Sequence, residues 1–192
     1  MRNRVKLSFV VSYTTRPMRT NETNGVEHIF ISNEEADRLL ADIENVIAYT
    51  EIGNIRYFTN SECFDKGDNV YIIDPNGIKY MKEHLKNKSI KVIYIYASDE
   101  VRERRASARQ DKLDVYKERV KSEDAQFTEF ESDHNNFDLF INNRDEDLHY
   151  SVDRMIDFIR HTFTPNTLYC VVGRTCSGKD TLIKNVFELV NK

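Results

Sequence analysis

The stretch VVGRTCSGKDTL, residues 171–182, decides the fold. Gly173, Gly178 and Lys179 have the G-x-x-x-x-G-K spacing of a phosphate-binding loop. In such a turn, successive backbone N–H groups converge on an anion, and the helix that follows adds its dipole. The apolar run NTLYCVV precedes the loop and reads as a buried strand. After the loop, Leu182, Ile183, Val186, Phe187 and Val190 share one helical face. Lys179 would reach the outer phosphates as a point charge. Gly173, Cys176, Ser177, Gly178, Lys179, Asp180 and Thr181 are therefore candidate phosphate-site residues. Asp180 stands where a Ser or Thr hydroxyl normally meets Mg²⁺. Either Asp180, directly or through water, or the hydroxyl of Thr181 would serve a metal.

Upstream of the loop, strands and helices alternate. VKLSFVVS, NVYIID, KVIYIYA and FDLFINN are short apolar runs of the kind found in central parallel strands. PNGIKYMKEHLKNK, a long charged segment from Ser98 to Glu131, and DEDLHYSVDRMIDFIR read as helices. This rhythm predicts an α/β fold, a parallel sheet with helices on both faces. Residues 13–60 break the rhythm and predict a small inserted α+β subdomain. There, Ser32 caps a helix with Glu35 at capping-box distance, and two strands turn at Gly53-Asn54.

The chain has 192 residues, 40% of them apolar and 31% charged, and suits one domain. A net charge of −4 without a like-charge block gives no support for a nucleic-acid or membrane-surface partner. The three cysteines have no metal-ligand spacing, and the basic start leads into an apolar run too short for a signal peptide. The expectation is a cytoplasmic protein without a membrane span.

SYTTRPMRTNETNGVEHIFIS begins at Ser12 and carries Arg16 and Arg19 three residues apart. Arginine's planar fork suits bidentate phosphate contacts. The segment resembles the guanylate kinase signature S-x-T-T-R-x-x-R-x-x-E-x-x-G-x-x-Y-x-F-x-S. Ser12, Thr14, Thr15, Arg16, Arg19, Glu22, Gly25, Phe30 and Ser32 are in register. The resemblance continues through IAYTEIGNIRYFT, YIIDPNGIK, the charged helices and INN, and includes the phosphate loop. It implies a P-loop NTPase core with a parallel sheet, an acceptor-binding subdomain at 13–60, and a helical lid at 102–124. It implies ATP and Mg²⁺ as cofactors and nucleotides as small-molecule substrates.

Residue by residue, the resemblance assigns the acceptor's phosphate to Arg16, Arg19 and Tyr57. His28 stands where the family has a phosphate-binding tyrosine. It assigns base contacts to Ser12 and Thr59, and places Arg105, Arg109 and Arg119 around the transferring phosphoryl group, with Arg104 a rival for Arg105. Asn142, beside Asn143, matches the adenine-side loop. The two acids that read guanine in the family fall on Ala48 and Ile72. Of the family's acidic pair only Asp74 remains, either binding Mg²⁺ through water or capping a helix before Pro75. The family's phosphate loop comes first, whereas here it follows everything else, which looks like a circular permutation. Three functions follow: a guanylate kinase-like phosphotransferase acting on GMP, a kinase of a related phosphorylated acceptor such as ribose 1,5-bisphosphate, or a non-catalytic binding module. GKDT is similar to the G-K-D-S of the ribose 1,5-bisphosphate phosphokinases.

Overall fold

The computed structural model describes residues 6–20, 22–64, 67–85 and 88–190. In chain order its elements are β1 (Leu7–Phe9), β2 (Tyr13–Thr14), β3 (Ile29–Phe30), α1 (Asn33–Leu40), β4 (Val46–Ile52), β5 (Ile55–Asn60), β6 (Asp68–Ile72), α2 (Pro75–His84), β7 (Ser89–Tyr96), α3 (Asp99–Ala108), α4 (Leu113–Glu131), β8 (Leu139–Asn142), α5 (Leu148–Thr162), β9 (Thr167–Val172) and α6 (Lys179–Val190). Val5, expected to open the first strand, and the Lys192-to-Met1 junction of the permutation lie outside the described residues.

Five strands form one sheet in the order β1-β6-β9-β7-β8, and every pairing in it is parallel. β9, last in the chain, lies at the centre. It pairs with β6 from Leu168 to Val171 and with β7 from Thr167 to Val172. All six of its residues are buried, because both of its faces are covered. Strand alternation divides it between two cores. Tyr169 and Val171 pack with α5 and α6 through Met155, Ile159, Leu182 and Val186. Leu168, Cys170 and Val172 pack with α2 and α4 through Ile78, Met81, Phe127 and Phe130. The result is a three-layer α/β core, as the alternation of elements predicts.

The second sheet has the order β3-β2-β5-β4. It falls within residues 13–60 and carries α1, which Ser32 caps by accepting the Glu35 N–H at 3.1 Å. Gly53 and Asn54 both take positive φ, 55° and 63°, which lets the β4–β5 hairpin turn in two residues. The segment after Ser12 contributes the two-residue strand β2 between β3 and β5. Among the described residues no helix is long and apolar enough to cross a membrane.

Candidate functional site

The phosphate loop runs from the C-terminal end of the central strand into α6, the position where open parallel sheets bind ligands. Two of its glycines have steric causes. A Cβ on Gly173 would press into the Ile95 carbonyl oxygen and reach within 2.6 Å of Ser177 Oγ. Gly178 holds φ +90°, and a Cβ there would meet Asn143 Nδ2 at 2.5 Å. Cys176, without a glycine's freedom, also sits at φ 60°. Such strain persists only where the surroundings hold the backbone.

Those surroundings are polarised. On one side, acids of α4 grip the first half of the loop. The Thr175 N–H donates to Glu123 Oε1 and Oε2 at 2.8 and 3.1 Å. Arg174 makes a two-pronged pair with Glu131 at 2.8 and 2.9 Å and reaches Asp124 at 2.8 Å. On the other side, donors hold the carbonyls of the second half. Asn143 Nδ2 donates to Ser177 O at 2.8 Å, and Arg105 Nη1 donates to the same oxygen at 2.8 Å. The carbonyls are thus drawn backward into protein. Lys179 Nζ folds onto the Gly173 and Arg174 carbonyls at 2.7 and 3.1 Å. Burial lowers its pKa, opposed by the nearby charges of Asp180 and Glu123.

A cavity of about 530 Å³ opens in front of the loop. Ser12, Arg16, Arg19, His28, Tyr57 and Asp74 line it, as do Arg109, Arg119, Gly173, Cys176, Lys179 and Asp180. Arg16 binds Glu22 through both prongs, at 2.6 and 2.7 Å, which drops the Glu22 pKa to about 2. Burial lowers the Arg19 pKa, and Arg16, Arg119 and Arg109 press it in the same direction. Among the described residues the Arg119 guanidinium forms no ion pair. Ser12 Oγ and His28 Nδ1 are bonded at 2.9 Å, and burial pushes the His28 pKa down to about 4, so the ring is neutral near pH 7. Asp74 caps α2 by accepting the Gly77 N–H at 2.9 Å, and burial raises its pKa. Ala48 and Ile72 also line this cavity, with apolar side chains. A second cavity, of about 300 Å³, lies behind Cys176 and Gly178 and is lined by Arg105, Asn143, Arg144, Asp180 and Thr181.

Three residues assigned from the sequence sit elsewhere than expected. Thr59 is fully buried and does not line the cavity; of this hairpin, Tyr57, Ala48 and Thr50 do. Asn142 faces outward as the alternate residue of β8, and its buried neighbour Asn143 reaches the loop. Arg105 belongs to the second cavity and is spent on backbone. Beyond Ser177 O it donates to Asn143 O at 3.0 Å and pairs with Asp145 at 2.7 Å. Arg104, its rival, pairs with Asp145 at the surface. Glu123 and Asn143, central to the loop's support, were legible only in part. Asn143 follows a strand, but nothing in the periodicity of α4 singles out Glu123 among its many charges.

Among the described residues no group of three His, Cys, Asp or Glu side chains is arranged to hold a metal. The donors near the loop are Asp180 and Thr181 at the start of α6, with Asp180 reaching both cavities. One or two protein oxygens suit Mg²⁺, which keeps most of its shell as water and phosphate.

A parallel α/β sheet with a G-x-x-x-x-G-K turn at the end of its central strand defines the P-loop class. The guanylate kinase family profile matches residues 2–161, and the chain belongs to the guanylate kinase family. The chain is 37% identical over 89 residues to the guanylate kinase of Thermobifida fusca, covering 44% of this chain and 45% of that one. It is 32% identical over 130 residues to the Vibrio parahaemolyticus guanylate kinase and 34% to that of Aliivibrio fischeri, in both cases covering 63% of this chain and 62% of the relative. The chain thus spans less than two thirds of the length of these relatives. The crystal structure of guanylate kinase from Anaplasma phagocytophilum has the same fold, with TM-score 0.52 and 21% identity over 95% of this chain and 86% of that one.

Proposed function

We propose that this protein transfers a phosphoryl group from ATP to a nucleoside monophosphate, GMP first. The observation that carries this reading is the cation cluster. Arg16, Arg19, Arg109, Arg119 and Lys179 line one cavity with the phosphate loop. Phosphoryl transfer asks for positioned cations around the transferring oxygens and little covalent chemistry. The loop N–H groups and Lys179 would hold the donor phosphates. Arg16, Arg19 and Tyr57 would hold the acceptor phosphate, and Arg109 and Arg119 would lie between the two. Mg²⁺, taken up by Asp180 or Thr181, would neutralise charge on the donor phosphates. In this reading residues 13–60 are the acceptor-binding part, and residues 102–124 the lid.

The chain order is proposed to be a circular permutation of the family's. Two observations support it: β9 lies centrally between β6 and β7, and the family match ends before the phosphate loop. A protein with residues 162–192 moved ahead of residue 6 should fold and turn over like the parent.

A second reading is favoured by Ala48 and Ile72. Neither side chain offers a partner to the polar edge of guanine, and a site that lacks such partners loses discrimination. This points to a related phosphorylated acceptor, such as ribose 1,5-bisphosphate or another monophosphate. The test offers ATP and Mg²⁺ with GMP, dGMP, AMP, other monophosphates and ribose bisphosphate. GMP turnover supports the first reading, and turnover of a sugar phosphate alone supports the second. Lys179→Ala should abolish either. Absence of both turnover and ATP binding would leave a non-catalytic binding module.

A further inference from the structure

Glu123 is a carboxylate set against the loop that would receive phosphates. It is 9% exposed, lines the main cavity with Lys179 and Arg119, and accepts the Thr175 N–H through both oxygens. It therefore places a fixed negative charge among cations that face an anion site. On its other side lies Arg102 of α3, only 2% exposed. Arg102 Nη2 pairs with Asp99 at 2.6 Å, but Nε and Nη1 have no hydrogen-bond partner. Nη1 lies 3.7 Å from Glu123 Oε1, near enough to pair as ions but beyond hydrogen-bonding distance. A buried guanidinium with two unused donors is costly, and the cost falls if a second arrangement uses them. The Thr175 N–H and the Arg102 guanidinium thus compete for one carboxylate.

We propose that Glu123 is a positioning residue with two seats, on Thr175 while the phosphate site is empty and on Arg102 when a nucleoside triphosphate fills it. The proposal rests on the ATP-binding reading above. In the empty protein the carboxylate acts as an internal counter-charge for Lys179 and braces the strained loop. Entering phosphates repel it and compete for the same cations. Its retreat toward Arg102 pairs the unused donors and draws α3 and α4 together beside the loop. Nucleotide binding and closure of the α3–α4 pair then become one equilibrium.

The test is calorimetric titration of ATP with excess Mg²⁺ at low salt. The proteins are the parent, Glu123→Gln, Arg102→Met and the double variant. A glutamine still accepts the Thr175 N–H but carries no charge to displace, so ATP affinity should rise at least about fivefold. Arg102→Met removes the second seat, and affinity should fall at least about fivefold. In the Glu123→Gln background, Arg102→Met should then change affinity by less than about twofold. Weaker or unchanged binding by Glu123→Gln overturns the proposal and leaves Glu123 as a fixed brace. Persistence of the Arg102→Met effect in the glutamine background overturns it as well. Thermal melting checks that each variant folds. Should Arg102→Met not fold, Arg102→Lys takes its place, with the same sign expected. A parent protein that binds no ATP overturns both this proposal and the function above, whereas ATP binding with no gain in Glu123→Gln overturns this one alone.

Discussion

Arg105→Met separates two roles open to this arginine of α3. In the structure its donors reach Ser177 O at 2.8 Å, Asn143 O at 3.0 Å and the Asp145 carboxylate at 2.7 Å. Methionine keeps much of the stem and removes every donor. A hydrogen bond from a charged donor contributes about 1.5–3 kcal/mol, and two carbonyls lose one each. Several things reduce the total. Ser177 O retains Asn143 Nδ2, and Arg105 itself is 22% exposed, so water recovers part of the loss. The Asp145 pair is half-exposed and adds at most about 1 kcal/mol. The expected loss is about 2–4 kcal/mol, a Tm drop of roughly 5–15 °C for a chain of this size. Freed carbonyls would also turn toward the phosphate site, so ATP affinity should fall while acceptor KM holds. Thermal unfolding and ATP titration read both effects. An unchanged Tm with a reduced kcat would refute this account and return Arg105 to the transferring phosphoryl group.

Arg16→Ala should raise acceptor KM at least about tenfold, the loss of a bidentate charged contact, and leave ATP affinity alone; unchanged acceptor kinetics would remove Arg16 from the site. Gly173→Ala should cost about 1–3 kcal/mol, because its Cβ meets the rigid Ile95 carbonyl, and should also weaken ATP binding, as melting and titration would detect. His28 makes the fold acid-sensitive. The unfolded chain takes up this proton near 6.5 and the fold only near about 4. Between those values the unfolded state binds more protons, so stability falls as pH falls, by up to about 3 kcal/mol. His28→Gln should flatten that part of the stability–pH curve, and a slope identical to the parent's would refute the assignment.

Most of the fold is legible because its signals are local. The continuous apolar runs of β6, β7 and β9 require cover on both faces, and the caps at Ser32 and Asp74 fix helix starts within a few residues. The candidate site is legible where spacing itself is the chemistry, at Gly173, Gly178 and Lys179, whereas Arg16 and Arg19 are singled out only by the family resemblance. It fails where tertiary packing chooses between equivalent side chains. Thr59 and Tyr57 lie on one strand, but the depth of the β4–β5 hairpin buries the first and exposes the second to the cavity. Asn142 and Asn143 are the same residue in succession, and only the end of β8 decides which turns inward. Arg104, Arg105 and Arg109 are the same residue type within one short stretch. Their difference comes from their partners: Asp145, some forty positions away, takes the first two, and Asp111 holds the third beside Cys176.

The loop's support also explains why its place in the chain matters little. A phosphate nest works when N–H groups face the ligand and carbonyls face away. Here the loop is held by contacts distant in sequence, from Glu123, Asp124 and Glu131 on one side and Arg105 and Asn143 on the other. None of these contacts depends on which residue comes first in the chain. They require only that β9 reach the centre of the sheet, where two parallel neighbours and two apolar cores hold it. An order that delivers the loop last can therefore build the same central strand, loop and helix as one that delivers it first. The proposed acceptor wall would lack this redundancy. In that reading its chemistry rests on single side chains, so Ala48 and Ile72 would change what the cavity recognises while leaving the loop's contacts as they are.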